Sequence, residues 1–301
     1  MRMPSFLLAA ILAVGASPLA VRAGDASGAT APYEDLIEVL ATLTWHLRDD
    51  VYRFAPPKDP TGHDLYKLAL SRLESWEKRF PGRMRDVTTL GRAQALERLG
   101  EYQRAADAYK EVASLIDSPL AARAAEPAAR ARAFAEAAAL PEDGDSVEAQ
   151  LNALRRKLDA WGKLVEQYKD TPAGSVAMVE EERLERATTR LVVDHRRDLE
   201  HGDETAEKAL RFLIQKHADS KNLPAHVLRL GDLYAEQARE YVSHNERPLA
   251  FQEDEFLSRA DRALDTYHKV ATWDGAQEKP EGQACFAAME AWKNATLARY
   301  R

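Results

Sequence analysis

The chain has 301 residues, 30% of them charged and 45% hydrophobic, which is ordinary for a soluble folded protein long enough for a large core or a stacked array. Its formal net charge is −7 at pH 7, and with no basic run this argues against a nucleic-acid binder or a ligand for anionic lipid. Glycine is scarce, at 14 residues, and alanine is plentiful, a bias toward helix.

Residues 1–23 have the three parts of a secretory signal peptide. Arg2 gives a positive start, Phe6–Ala16 is an apolar run, and Val21-Arg22-Ala23 offers small residues before a cut preceding Gly24. The apolar run is too short to cross a membrane, which needs about 20 residues. No cysteine lies near the cut, so a lipoprotein anchor is not expected. The expectation is export to the periplasm or beyond, with cleavage near Ala23. Loss of Arg2 and Arg22 takes the net charge to −9. Residues 24–31 are small and polar, a flexible mature N-terminus; residues 32–301 form one helical domain.

Pro32 suits a first helical turn, and Leu36, Ile37, Leu40, Leu43 and Leu47 then fall on one side of a helix. Residues 54–62 are a loop. A helix over about 63–79 carries Leu65, Ala69, Leu73 and Trp76 and stops at Pro81-Gly82. The stretch 86–115 reads as two helices around Gly100: Leu90, Ala93, Leu96 and Leu99 face one way in the first, and Tyr102, Ala105, Tyr109 and Val112 in the second. Ser118-Pro119 is a cap and first-turn proline for an Ala/Arg-rich helix to about 139, in which Pro127 predicts a kink or break. Asp145-x-x-Glu148 can box the start of a helix running to about Tyr168, with Leu151, Leu154, Leu158, Trp161 and Leu164 inward.

Thr171-Pro172 starts a long charged helix to about 200, its buried side marked by Leu184, Ala187, Leu191 and Val192. After a turn and cap at 201–203 come helices over 204–217, from Leu223-Pro224, over 252–273 and over 283–300, with loops at 244–250 and 274–282. Cys285 is alone, so no internal disulfide can form, and it is expected to be buried in the last helix.

The pattern Ala93-x2-Leu96, Leu99-Gly100-x-Tyr102-x2-Ala105-x3-Tyr109-x2-Val112 resembles the tetratricopeptide repeat family. Val227-x2-Leu230-Gly231-x2-Tyr234 matches its first helix, and Ala69-x3-Leu73-x2-Trp76-x4-Pro81 and Ala206-x3-Leu210-x2-Leu213 match its second. Residues 104–114 and 262–272 share six of eleven identities without a gap. Ala69, Ala105, Ala206 and Ala263 are spaced more widely than the regular repeat of about 34 residues, a drift similar to the bacterial envelope branch of the family. The resemblance implies an all-α, right-handed, TPR-like solenoid of helical hairpins with roughly eleven helices. An unrelated helical bundle is the alternative.

No hydrolase elbow, Walker loop, dinucleotide glycine pattern or His-Glu-x-x-His occurs, and one cysteine cannot supply a thiolate zinc site. His195, His201, Asp203 and Glu204, the set His46, Asp49 and Asp50, and the pair Asp143 and Asp145 are read as caps and solvated charges rather than metal ligands, and Trp76 and Trp161 as core. No cofactor, metal or catalytic residue is expected. In tetratricopeptide arrays the first helix of each pair lines a groove, which implies Gln94, Arg98, Asp232 and Glu236 as partner-contacting candidates here. The expected function is an exported scaffold binding a protein or peptide partner in envelope assembly or maintenance. Alternatives are an accessory or substrate-binding subunit acting with an envelope enzyme or transporter, and an enzyme assembled from distant residues such as Glu181, Asp194 and His195.

Overall fold

The computed structural model describes residues 33–48, 51–54, 59, 61–245 and 250–300. The expected signal peptide, the mature N-terminus to Pro32, Asp49, Asp50 and Pro248 lie outside these residues. The described chain is helical throughout, with no strand: α1 (Tyr33–Leu47), α2 (Asp64–Arg79), α3 (Arg85–Arg98), α4 (Tyr102–Ala113), α5 (Ala121–Ala138), α6 (Val147–Gln167), α7 (Pro172–Asp194), α8 (Gly202–Lys216), α9 (Leu223–His244), α10 (Glu253–Ala271) and α11 (Lys279–Tyr300). A 3-10 turn, Arg196–Asp198, joins α7 to α8. Each helix packs on its sequence neighbours, and the alternate pairs α1–α3, α3–α5 and α9–α11 also meet. None of the described helices is long and apolar enough to cross a membrane.

Local chemistry sets the helix ends. Gly100 takes φ 77° between α3 and α4, a left-handed turn that glycine adopts without a Cβ clash. Thr171 caps α7 by accepting from Gly174 N at 3.1 Å, with Pro172 in the first turn. At α6 the cap is Ser146, one residue beyond Asp145, and its hydroxyl accepts from Ala149 N. Ser118 does not open a helix. Its hydroxyl accepts from Leu120 N and donates to Asp86 of α3, and α5 begins only at Ala121.

α5 then runs through Pro127 without interruption. Ala124, Ala131 and Phe134 are fully buried around that proline, so packing holds the helix where propensity alone would break it. The face of α1 also differs from expectation. Val39 is 5% exposed and Ile37 59%, so the inward stripe is Leu36, Val39 and Leu43. Cys285 is half-buried and packs against the core of the last helices; burial pushes its thiol above the usual range.

The core is a series of adjoining clusters. Leu36, Leu43, Leu73 and Trp76 join α1 to α2, and Ala93, Leu96, Ala105 and Tyr109 join α3 to α4. Phe134, Trp161 and Leu184 join α5, α6 and α7. The last cluster, with Leu210, Leu233, Phe256 and Met289, runs from α7 to α11. α7 therefore lies between two cores, with Leu184 in one and Val193 in the other.

The internal repeat seen in the sequence gives each of its two tyrosines a carboxylate partner on the preceding helix. Tyr109 of α4 donates to Glu97 of α3 at 2.8 Å, and Tyr267 of α10 donates to Asp232 of α9 at 2.9 Å. Ala105 and Ala263, one turn before each tyrosine, are fully buried. Gly231 lets α9 approach α10 closely, since a Cβ there would lie 2.7 Å from the Tyr267 ring. The farthest departure from the neighbour-on-neighbour order follows α1. The connection after α1 reaches the α8–α9 turn, where Lys221 N donates to Tyr52 O at 3.0 Å.

Candidate functional site

α7 carries two parallel stripes of polar residues. Glu182, Glu185 and Thr189 precede Val193 on the inner one; Arg186, Arg190 and Asp194 recur at four-residue steps beside it. The inner stripe faces the α8–α9 turn. Ser220 Oγ donates to the Glu182 carboxylate at 2.7 Å, and His226 Nε2 lies 2.6 Å from Glu182 Oε1. Burial alone would raise the Glu182 carboxyl; the hydrogen bonds from His226 and Ser220 outweigh it and hold the group below its ordinary range. One turn along, His217 Nε2 lies 2.5 Å from Glu185 Oε2, and Lys216 Nζ bridges Glu185 and Glu181. Tyr52 closes the chain, its hydroxyl 2.6 Å from His217 Nδ1. Burial, then the charge of Glu182, pushes the Tyr52 hydroxyl far above its usual range, so it stays protonated. Nε2 of His217 donates to Glu185, because that carboxyl is held below its ordinary range and an ionised carboxylate only accepts.

This network holds a serine, a histidine and a carboxylate, but in an order unsuited to nucleophilic chemistry. Ser220 and His226 both bond to Glu182, so the serine oxygen faces a carboxylate rather than an imidazole base. The network instead ties α7 to α8 and α9.

The outer stripe borders open space. A cavity of about 370 Å3 lies between α7, α8 and α9. Val193, Leu210 and Leu213 form a buried apolar floor, with Ala225 beside them, and Thr189 and His226 complete the wall. Arg186, Arg190 and Arg229 stand around it with Asp194. Arg190 Nε donates to one Asp194 oxygen at 3.3 Å and Arg229 Nη2 to the other at 3.2 Å. One carboxylate thus bridges a guanidinium from α7 and another from α9. Arg229 also approaches Asp232 at 3.7 Å. Arg186 is exposed and has no carboxylate partner among the described residues.

The residues singled out in the sequence are placed otherwise. Gln94 and Arg98 lie on α3, Asp232 and Glu236 on α9, and these helices are not packed neighbours. Gln94 is half-buried. Arg98 donates to the Leu47 carbonyl at the end of α1. Asp232 accepts from Tyr267, and burial raises its carboxyl. Glu236 forms an ion pair with Arg196 at 3.1 Å.

Glu181, Asp194 and His195 each have a separate partner: Lys216, the two arginines, and Asp198. Asp203 pairs with Arg196 and Glu204 with Lys208. No group of three or more His, Cys, Asp or Glu among the described residues is arranged to hold a metal ion. The four-residue spacing of Arg186, Arg190 and Asp194 was visible in the sequence, but it has the same form as a solvated helix face. Only the packing of α9 brings Arg229 to it. The chain matches no protein-family model and no curated protein.

Proposed function

We propose that the chain is a TPR-like docking scaffold: a right-handed solenoid of helical hairpins, exported through its N-terminal signal peptide, that binds another protein in envelope assembly or maintenance. The observation that carries this reading is the repeated hairpin. In α3–α4 and α9–α10 the corresponding tyrosines, Tyr109 and Tyr267, each donate to a carboxylate of the preceding helix, one turn after a fully buried alanine, although the carboxylates Glu97 and Asp232 stand at different positions of their helices. Hairpins stacked in this way form a rigid surface, and a rigid surface loses little conformational freedom on docking. Gln94 lies on the helix that lines the groove in such arrays, is half-buried and has no internal hydrogen bond among the described residues.

Affinity capture from envelope extract with the tagged protein tests the reading. A stoichiometric partner is expected, recovered in several buffers and lost when Gln94 is replaced by Arg. Recovery of none under any condition, or capture indifferent to Gln94→Arg, would count against it. The second reading, an accessory subunit serving an envelope enzyme or transporter, draws on the arginine-rimmed cavity, which has the size of a small-ligand site rather than a protein-docking face.

A further inference from the structure

We infer that the cavity between α7, α8 and α9 is a binding site for a small carboxylate on an apolar body. The inference goes beyond the docking reading, because the site could bind such a ligand whether or not the array docks a protein.

Size sets the first limit. A volume of about 370 Å3 holds roughly a dozen water-sized groups at about 30 Å3 each, which is the scale of an eight-carbon acid and far below that of a folded partner. The floor sets the second. The open surface of the cavity is more carbon than polar and is backed by Val193, Leu210 and Leu213, so the part of the ligand that sits deepest is apolar. Charge sets the third. Three guanidiniums stand around the cavity against one carboxylate of the lining, Asp194, and a second, Asp232, beside Arg229, in an otherwise acidic chain. That excess favours an anion, and planar guanidiniums suit a carboxylate.

The structure already contains a carboxylate in the position such a ligand would compete for. Asp194 bridges Arg190 and Arg229 with one oxygen to each. All three side chains are well exposed, so the bridge is weak and readily exchanged. Arg186, one turn before Arg190 and without a carboxylate partner among the described residues, supplies the charge that Asp194 leaves uncompensated. Asp194 is thus a built-in competitor. The ligand carboxylate pairs with Arg186 and draws Arg190 and Arg229 away from it, while the apolar body fills the space behind them.

Isothermal titration of the purified protein tests the inference, with octanoate, octanol, and the tripeptide Gly-Gly-Phe bearing a free or an amidated C-terminus as probes. Saturable one-site binding is expected for a carboxylate, at least about tenfold tighter than for its neutral counterpart. Arg186→Ala should weaken it by about tenfold with an unchanged melting temperature. Asp194→Asn should tighten it several-fold, a gain that misfolding cannot produce. Octanoate binding alone identifies a free acid as the source, and free-tripeptide binding identifies a chain terminus; either supports the site. Equal binding of octanol and octanoate, weaker binding by Asp194→Asn, or no saturation by either carboxylate at millimolar concentration overturns it.

Discussion

Glu97 is 6% exposed, and its carboxylate receives two hydrogen bonds from Arg130, at 2.8 and 2.9 Å, and one from Tyr109. The three side chains come from α3, α5 and α4, so a single charged cluster fixes three helices. A buried pair contributes little net stability over an apolar substitute, but removing one partner strands the other. Glu97→Ala leaves Arg130 with the exposed Glu126 as its one carboxylate partner among the described residues and is expected to lower the unfolding free energy by about 3 kcal/mol. The double change Glu97→Leu with Arg130→Met should recover most of that loss. Urea unfolding of the three proteins measures both, and a loss below about 1 kcal/mol for the single change would show the pair to be replaceable. The Asp194 bridge is the opposite case at the same scale, an exposed carboxylate between two exposed arginines that can exchange partners at little cost.

At the scale of elements, the end of α5 is held by a side chain from α6. Lys157 is buried, and its ammonium donates to the Ala138 and Leu140 carbonyls at 2.6 and 2.8 Å. Glu142 neutralises it at 2.9 Å and also binds Arg183 of α7 through both carboxylate oxygens. The Arg183 hydrogen bonds, aided by Lys157 and only partly opposed by burial, lower the Glu142 carboxyl from 4.5 to about 2. A lowered carboxyl contributes stability that is present above pH 4.5 and is lost as the pH falls through about 2. Wild type should exceed Glu142→Gln by on the order of 2 kcal/mol at pH 6, with the gap closing between pH 4.5 and 2. Chemical unfolding across that range checks it, and a gap independent of pH would remove the carboxylate from the account.

The elements themselves were legible because they rest on local chemistry. Thr171-Pro172, Leu223-Pro224 and Gly100 carry their own instructions, and the 3.6-residue period marks the apolar side. Errors arose where a distant group decided the outcome. Ser118 bonds to Asp86, 32 residues away, and so does not cap a helix. Val39 rather than Ile37 turns inward because α2 and α3 both press on one narrow side of α1. The cavity was not legible at all. Periodicity tells which face of α7 is apolar, but not that the charged stripe beside it borders a gap, nor that Arg229 meets it from α9.

For the whole molecule the decisive contact spans 165 residues, from the Tyr52 hydroxyl to His217. A purely stacked array has stability terms only between neighbours, so loosening its first hairpin would leave the fourth unaffected. Here the segment after α1 is held against the α8–α9 turn by Tyr52, by the Lys221 amide and by the approach of Arg53 to Asp219. Through His217 and Glu185 the contact continues into α7, whose outer stripe lines the cavity. The first hairpin and the cavity wall are therefore coupled. Tyr52→Phe keeps the ring and removes only the hydroxyl, which takes from buried His217 Nδ1 its hydrogen-bond partner at a cost of about 1–3 kcal/mol. Amide hydrogen exchange should then quicken in two places at once, in α1 and in residues 217–226, while α10 and α11 keep their protection. Faster exchange confined to α1 would show that the molecule behaves as a neighbour-only stack and that the long contact does not couple its ends.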